Sequence, residues 1–572
     1  MKFHTNYIFL LQAFLFFAGS LTTYGQVEFP GAPRGITSHL KAANVIYTLS
    51  PPDPLEIDAI RESSRDNFSK AFPFGIIRQV NLSPEAHGSW NYEGDIRVWR
   101  VHVISPGAYS LGVIFKQYAL QPGVKLFVYD PGQNRVKGAF TSGNNKVSGV
   151  LPVGHIPGQE VVIEMQVPLA ISDYGTLELE SISHAFLDIS HRSGPPNCAG
   201  EFNCSQACMI DVNCVEGDDW WMVKPSVVRL LINKTISEYC TGVLVNNTAY
   251  DGTPYILTAQ HCIGTDSHAE GTVVQFNYES AECFGEDGPL NMSVSGAELI
   301  AVGDSIDFSL VKLSLEPPAS YKVYYAGWDR SDIPATPSTT IHHPMGDVKK
   351  ISFDEDIPSV PEKQSDVPNG TSWKGFHYFS YWWIKRWDIG TTEGGSSGGP
   401  LFNAGGRVIG NLVGGRATCG DSIGYDAETD RVIYNQAFNY DDYFARFGMA
   451  WDYEEEKGNE LAQWLDPLNS GASALGGYNP TSVEPLQAVA EKRFQVFPNP
   501  ASRFFSIASK DPTSTDASYV ILNISGALLR SGVLDHEGRA TIDSGSFPPG
   551  MYLISVSEKG YREHHKLIVT GQ

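Results

Sequence analysis

Alternation of apolar and polar residues marks the early part of the chain. In the run 96–103, Ile96, Val98, Arg100 and His102 fall on one side of an extended backbone, and Arg97, Trp99, Val101 and Val103 on the other. Successive side chains of a strand point to opposite faces, so this run predicts β-structure. Residues 124–129 and 161–167 read as further strands. Turn signals such as Ser105-Pro106-Gly107 and Asp130-Pro131-Gly132 separate them. Residues 26–192 contain no cysteine and are predicted to form an all-β domain, a β-sandwich.

The pattern changes further along. Residues 193–467 carry short β-runs between Gly-rich turns and close on Glu460-Leu461-Ala462-Gln463-Trp464-Leu465, read as a terminal helix. Residues 468–493 are rich in Gly, Ser, Pro and Ala and read as a linker. Residues 494–572 are strand-like again, from Phe497-Pro498-Asn499-Pro500-Ala501 to Lys566-Leu567-Ile568-Val569. At the start, Lys2 precedes an apolar run from Ile8 to Ala18, broken only by Gln12, and Thr23-Tyr24-Gly25 precedes Gln26. This predicts a signal peptide at 1–25, with a core too short for a membrane anchor. The mature protein is expected to be exported, either secreted or held at the cell surface.

Composition narrows the classes. A chain of 572 residues is too long for one ordinary domain. Charged residues make up 18% and hydrophobic ones 42%, which fits a globular protein. The net charge of −23 supplies no basic footprint, so nucleic acid is not an expected partner. Eight cysteines, Cys198, Cys204, Cys208, Cys214, Cys240, Cys262, Cys283 and Cys419, suit disulfides in an exported chain, with the pairing left open by sequence. The cluster from Cys198 to Cys214 lacks a CxxC pair, which argues against zinc. His342 and His343 have no acidic or histidine partner at helical spacing and are expected to serve a loop. No metal and no cofactor are expected.

Three short segments carry chemistry. Gly395-Ser396-Ser397-Gly398-Gly399-Pro400-Leu401 resembles the nucleophile loop of trypsin-like serine proteases. Leu257-Thr258-Ala259-Gln260-His261-Cys262 looks like the histidine motif of that family, and Asp307-Phe308-Ser309-Leu310-Val311-Lys312-Leu313 looks like its aspartate motif. Their order and spacing are also similar to the family's. The resemblance implies a two-barrel, trypsin/chymotrypsin-like fold. A serine hydroxyl needs a base within hydrogen-bond reach, and the base needs an orienting acid. Ser397 is thereby expected as nucleophile, His261 as general base and then acid, and Asp307 as the carboxylate that fixes the imidazole. The amides of Gly395 and Ser397 are the expected oxyanion donors. Ser396 competes with Ser397, but Ser-Gly-Gly-Pro must follow the nucleophile directly. Asp304 competes with Asp307, but only Asp307 leads straight into an apolar strand.

Within that family the chain is most similar to bacterial lysyl endopeptidases. The segments are Cys208-Met209-Ile210-Asp211-Val212-Asn213-Cys214, Cys240-Thr241-Gly242-Val243-Leu244-Val245-Asn246-Asn247-Thr248, Ala326-Gly327-Trp328-Asp329-Arg330 and Ile341-His342-His343-Pro344. The strands of 95–168 resemble the propeptide of the same family, and 494–572 resembles the C-terminal sorting domain of type IX secretion. If the pairing of that family carries over, the disulfides are Cys208–Cys419, Cys214–Cys283 and Cys240–Cys262, with Cys198 and Cys204 left for each other. The resemblance implies a zymogen that cleaves after basic residues, acts on protein or peptide substrates, meets the type IX secretion machinery and works as a monomer.

Specificity requires a buried acid for a basic P1 side chain. Thr391 stands where trypsin keeps that acid. By the lysyl endopeptidase resemblance the acid lies downstream, in Asp441-Asp442-Tyr443 ahead of Trp451, with Asp442 the best match and Glu393 a second acid near the pocket wall. Val413 replaces a histidine that well-known members hold near the triad, which leaves the mechanism intact but bears on rate and pH profile. No lysine lies between Lys146 and Lys224, and Arg192 is the one Lys or Arg in that interval. Release of the mature protease just before Cys198 therefore needs either acceptance of Arg at P1 or another protease. Two rival readings remain: a non-catalytic or weakly active surface adhesin on a protease fold, and a protease that prefers acidic P1 residues.

Overall fold

The computed structural model describes residues 29–34, 45–65, 68–132, 134–188, 205–334, 336–363, 366, 378–419, 422–426, 431–434, 440–453, 459–480, 493–510, 517–523, 528–536, 538–545, 547–558 and 561–570. The chain divides into two compact units, residues 1–485 and 486–572. Cys198, Cys204, Arg192 and the expected signal peptide lie outside the described residues.

The first unit begins with a β-sandwich. One of its sheets is built on Ile96–Ile104, which pairs with Ser89–Glu93 and with Glu160–Pro168, the latter pairing onward to Lys125–Tyr129. The other contains Phe72–Leu82, Gly175–Ala185, Ser110–Leu120 and Leu151–Pro157. Trp99, Val101 and Val103 from the first sheet and Phe115, Leu151 and Leu179 from the second share one core. The alternation read from sequence thus places the Trp99 face inward. Arg100, on the opposite face, is also buried; it donates from Nε to Glu164 at 2.7 Å. A charge sheltered this well needs its partner.

Two barrel halves follow. In the first, Val227–Asn233, Ile236–Val245, Tyr255–Thr258 and Phe308–Leu313 pair in antiparallel fashion. In the second, Ser338–His342, Pro400–Phe402, Val408–Gly415 and Asp442–Arg446 form a continuous antiparallel ladder. Val243, Leu257 and Phe308 from the first half pack in one cluster with Ile341, Phe402 and Trp328 from the second, so the seam between the halves is itself apolar core. The terminal helix read at 460–465 is a short turn of helix at Ala462–Leu465 that buries Leu465.

The sandwich and the first barrel half share a sheet. Phe72–Leu82 pairs on one edge with Gly175–Ala185 and on the other with Ile236–Val245. That sharing is not visible in the alternation of either segment, because period two specifies a face and not a neighbour.

The second unit, read alone, has a sheet of Phe494–Phe497, Phe504–Ser509 and Arg539–Asp543, and another ordered Leu528–Val533, Ser518–Asn523, Gly550–Glu558, Tyr561–Val569. Ile507 and Ile542 from one and Ile521, Ile554 and Leu567 from the other make its core, a second β-sandwich.

Candidate active site

The seam brings His261, Asp307 and Ser397 together. His261 follows the buried strand Tyr255–Thr258, and neighbouring Cys262 is bonded to Cys240 in the adjacent strand, which pins the histidine turn. Asp307 immediately precedes Phe308–Leu313 and has φ +63°, a left-handed conformation that Asp tolerates better than most residues. Asn411 donates from Nδ2 to its carbonyl at 2.9 Å. One oxygen of Asp307 accepts the His261 amide at 2.8 Å, and the other is 2.7 Å from His261 Nδ1. His261 Nε2 is 2.7 Å from Ser397 Oγ. A carboxylate on Nδ1 leaves Nε2 as the acceptor facing the hydroxyl.

The loop around Ser397 needs its glycines. Gly395 (φ +95°) would bring a Cβ to 2.5 Å from the His343 carbonyl, and Gly398 (φ +78°) would bring one to 2.1 Å from Thr258 Oγ1. Only glycine takes these conformations at no steric cost. Thr241 ties the parts together: its amide donates to Ser397 O at 2.8 Å, its hydroxyl to Gly395 O at 2.8 Å, and its carbonyl accepts from Thr258 Oγ1. Ser396 turns away, with its hydroxyl 2.7 Å from His342 Nδ1.

A segment of the N-terminal region lies in this site. The carbonyl of Lys70 accepts from the amides of Gly395 at 2.5 Å and Ser397 at 3.3 Å. Ser69 bridges Gly414 in antiparallel fashion, and Phe68 O accepts the Gly415 amide at 3.0 Å. The Lys70 side chain is buried, and its ammonium meets Thr392 Oγ1 at 2.5 Å, Thr392 O at 3.0 Å, Ala417 O at 3.1 Å and Asp442 Oδ1 at 2.9 Å. Asp442 is fully buried, and its other oxygen accepts from Trp387 Nε1 and Thr392 Oγ1, each at 2.7 Å. Beyond Lys70, Phe72 and Pro73 pair with Tyr239 and Glu238.

Asp442 faces the Lys70 ammonium. Glu393 does not. Its carboxylate accepts the Gln206 amide at 2.9 Å, and no hydrogen bond joins it to Lys70. Burial pushes it up to about 7. Asp441 sits beside the pocket, accepting from Trp383 Nε1 and Tyr443 Oη. Val413 is buried with Tyr381 and Tyr443, and Phe68 packs against this group. His342 ends a strand rather than serving a loop, and burial holds it at about 3; burial also lowers His343 well below the ordinary histidine value. Cys208–Cys419, Cys214–Cys283 and Cys240–Cys262 are bonded. Cys240, His261 and Cys262 come close enough to suggest a metal cluster, but both sulfurs are spent in a disulfide.

Sequence reasoning missed Lys70, Thr392, Trp387, Ala417 and Thr241. Lys70 had one available signal. It stands in Phe68-Ser69-Lys70-Ala71-Phe72-Pro73-Phe74, directly before a strand of a region expected to block a lysine-directed site.

Residues 202–430 match the family described as lysyl endopeptidase, C-terminal domain, and residues 495–570 match the secretion system C-terminal sorting domain. A lysyl endopeptidase of Pseudomonas aeruginosa is 28% identical over 284 residues, covering 46% of this chain and 57% of the relative. Secreted RxLR effector protein 73 of Plasmopara viticola is 25% identical over 276 residues, covering 45% of this chain and 62% of the relative. The chain thus spans a little over half the length of the curated relatives it matches. Among solved structures, kallikrein-related peptidase 10 is 14% identical, with 44% of this chain and 97% of that one covered at a TM-score of 0.26. The sorting domain marks the chain for type IX secretion, to the cell surface or beyond it. The chain is lysyl endopeptidase-like over its two-barrel region and ends in a type IX sorting domain.

Proposed function

We propose that this is a secreted serine endopeptidase, made as a zymogen, that cleaves protein substrates after lysine. Ser397 is the nucleophile, His261 its base and then the acid for the leaving amine, and Asp307 the group that holds the imidazole tautomer. The amides of Gly395 and Ser397 stabilise the oxyanion. No cofactor enters the reaction. Residues 26–192 act as the prosegment, and the sorting domain engages the secretion machinery.

The observation that carries this reading is the seat of Lys70. Its carbonyl lies between the two oxyanion donors while its ammonium reaches Asp442. Lysine is favoured over arginine by the shape of the ammonium's shell. Three acceptors converge with Asp442 on one small cation, a shell that suits the rotatable donors of an ammonium better than the fixed plane of a guanidinium. Trp387, bonded to Asp442, holds the carboxylate in place behind the cation.

The test is to map cleavage of a denatured proteome by the matured protein, beside Ser397→Ala. Cuts after lysine that vanish in the variant support the reading. Cuts after lysine and arginine alike limit it to basic residues. No cutting by a correctly processed protein overturns it in favour of a surface adhesin.

A further inference from the structure

The segment in the site continues without interruption on both sides of one peptide bond. Phe68 and Ser69 are zipped to Gly415 and Gly414 on one side of Lys70, and Phe72 to Ile76 are zipped to Ile236–Tyr239 on the other. The Lys70 carbonyl rests on the Gly395 and Ser397 amides, beside a Ser397 hydroxyl already bonded to His261. A segment that merely covered a site would need none of this register. We propose that Lys70–Ala71 is a self-processing bond, cut by the chain's own Ser397 before the N-terminal region leaves. This rests on the function proposed above.

The step balances with water as the only co-reactant. Ser397 Oγ bonds to the Lys70 carbonyl carbon and gives its proton to His261 Nε2. The Lys70–Ala71 bond breaks as that proton passes to the Ala71 nitrogen. Water then adds to the ester, leaving a Lys70 carboxylate, a free Ala71 amine and a restored Ser397.

The fold gives this cut an unusual consequence: it releases nothing. Upstream of the bond, Ile46–Thr48 pairs with Ile96–Ile104, and Arg61 bonds to the Phe186 carbonyl and lies over its ring. Downstream, Phe72–Leu82 is an interior strand held by both Gly175–Ala185 and Ile236–Val245. From Ala71 the chain still runs covalently into the barrels. The new Lys70 carboxylate stays in the pocket and the Ala71 amine beside it. Maturation therefore takes two cuts, and the second falls in the lysine-free stretch 147–223, where a lysine-directed enzyme cannot act on itself. The first cut nicks the zymogen, and the second, by another agent, commits it.

The experiment follows the full chain after purification, by intact mass and by peptide mass spectrometry in H2 18O. The expected result is a species ending at Lys70 with the heavy oxygen in its new carboxylate, and a partner starting at Ala71. The two separate on a denaturing gel yet co-elute under native conditions. The rate does not change with dilution. Ser397→Ala and Lys70→Gln lose the cut, and Ser397→Ala is not cut at this bond by added active enzyme. Circular dichroism and a melting curve on Lys70→Gln itself show that it stays folded, and Lys70→Arg, which keeps the charge, is cut more slowly than the wild type. An enzyme that cleaves lysyl peptides but leaves Lys70–Ala71 intact overturns this inference alone. So does the same cut in Ser397→Ala. A chain inert toward lysyl peptides overturns the proposed function with it.

Discussion

Lys70 Nζ and Asp442 Oδ1 lie 2.9 Å apart although 372 residues separate them in sequence, and both side chains are buried. The carboxylate is held from behind by Trp387 and Thr392, which leaves one oxygen to face the incoming cation. A buried cation without this acid would stand unpaired, a loss of about 3–5 kcal/mol. Asp442→Asn is therefore expected to lower kcat/KM toward lysyl substrates by about 10²–10³-fold, the lower part of that energetic range. Activity toward a norleucine substrate of similar length should change little. Equal losses on both substrates would show that Asp442 supports the fold of the pocket rather than its charge selectivity.

Asp307 makes two bonds to one residue, the His261 amide and its Nδ1. An amide in its place would offer one oxygen and one NH₂, and could not accept from both. Asp307→Asn is expected to reduce kcat by about 10⁴-fold through the wrong imidazole tautomer, with KM nearly unchanged. Steady-state kinetics on a lysyl ester against pH check this. A loss confined to low pH, recovered where hydroxide substitutes for the base, is the expected profile.

Thr241 touches the nucleophile loop through both its amide and its hydroxyl, and its hydroxyl also accepts the His343 amide at 3.0 Å. Thr241→Val keeps the shape and removes the hydroxyl. The buried Gly395 carbonyl and His343 amide then lose a partner, at a cost of about 1–3 kcal/mol in stability. Because Gly395 is a proposed oxyanion donor, kcat should fall while KM stays close to its original value. A Tm decrease with unaltered kcat would assign Thr241 to stability alone.

The parts of this molecule that were legible in sequence are those encoded locally. Each of the His261, Asp307 and Ser397 loops carries its signature within a few residues, because a buried strand, a tight glycine turn and a reactive side chain must be contiguous. The strand at 96–103 followed from period two in the same way, although which of its faces met the sandwich core did not. Lys70 carried a single weak signal, its place directly before a strand, since its full meaning arises only when Phe72–Leu82 docks on Ile236–Val245. The contacts of the Glu393 carboxylate were not legible for a related reason. Its sequence distance from Ser397 puts it near the pocket wall, but its hydrogen bond goes to the Gln206 amide, contributed by a segment 187 residues away. Thr392 and Trp387 contribute to the pocket through their contacts with Asp442, and such contacts have no sequence spacing of their own.

Cys208–Cys419 joins the start of the barrel region to a point two residues beyond Ala417, whose carbonyl receives the Lys70 ammonium. Gln206 Oε1 also accepts the Cys419 amide at 3.1 Å. A crosslink over a sequence separation of 211 restricts the unfolded chain strongly, by up to about 5 kcal/mol on the entropy model. Cys208→Ser with Cys419→Ser should lower Tm and also raise KM for lysyl substrates, because one wall of the pocket loses its anchor. Removing Cys214–Cys283 should lower Tm without the KM effect. Equal KM changes for the two would remove any special link between Cys419 and the pocket.

Lys146 offers a pH test of how the sandwich stays docked. Burial pushes its ammonium down to about 7 from the ordinary 10.5, with Glu270 of the first barrel half opposing the shift. Its Nζ donates to Val150 O at 3.0 Å, and a Cβ on Gly296 of that barrel half would strike it. Docking therefore lowers the proton affinity of this group, so the docked form binds fewer protons than the free one between about 7 and 10.5. Docking should strengthen as pH rises through that window and be weakest at and below its lower end. The affinity of the separated sandwich for the matured enzyme, measured across this range by inhibition of lysyl-substrate hydrolysis, should rise by up to about tenfold per pH unit. Lys146→Met should flatten the profile and match or exceed the wild-type affinity at neutral pH. An unchanged slope in the variant would place the pH dependence on another group at the interface.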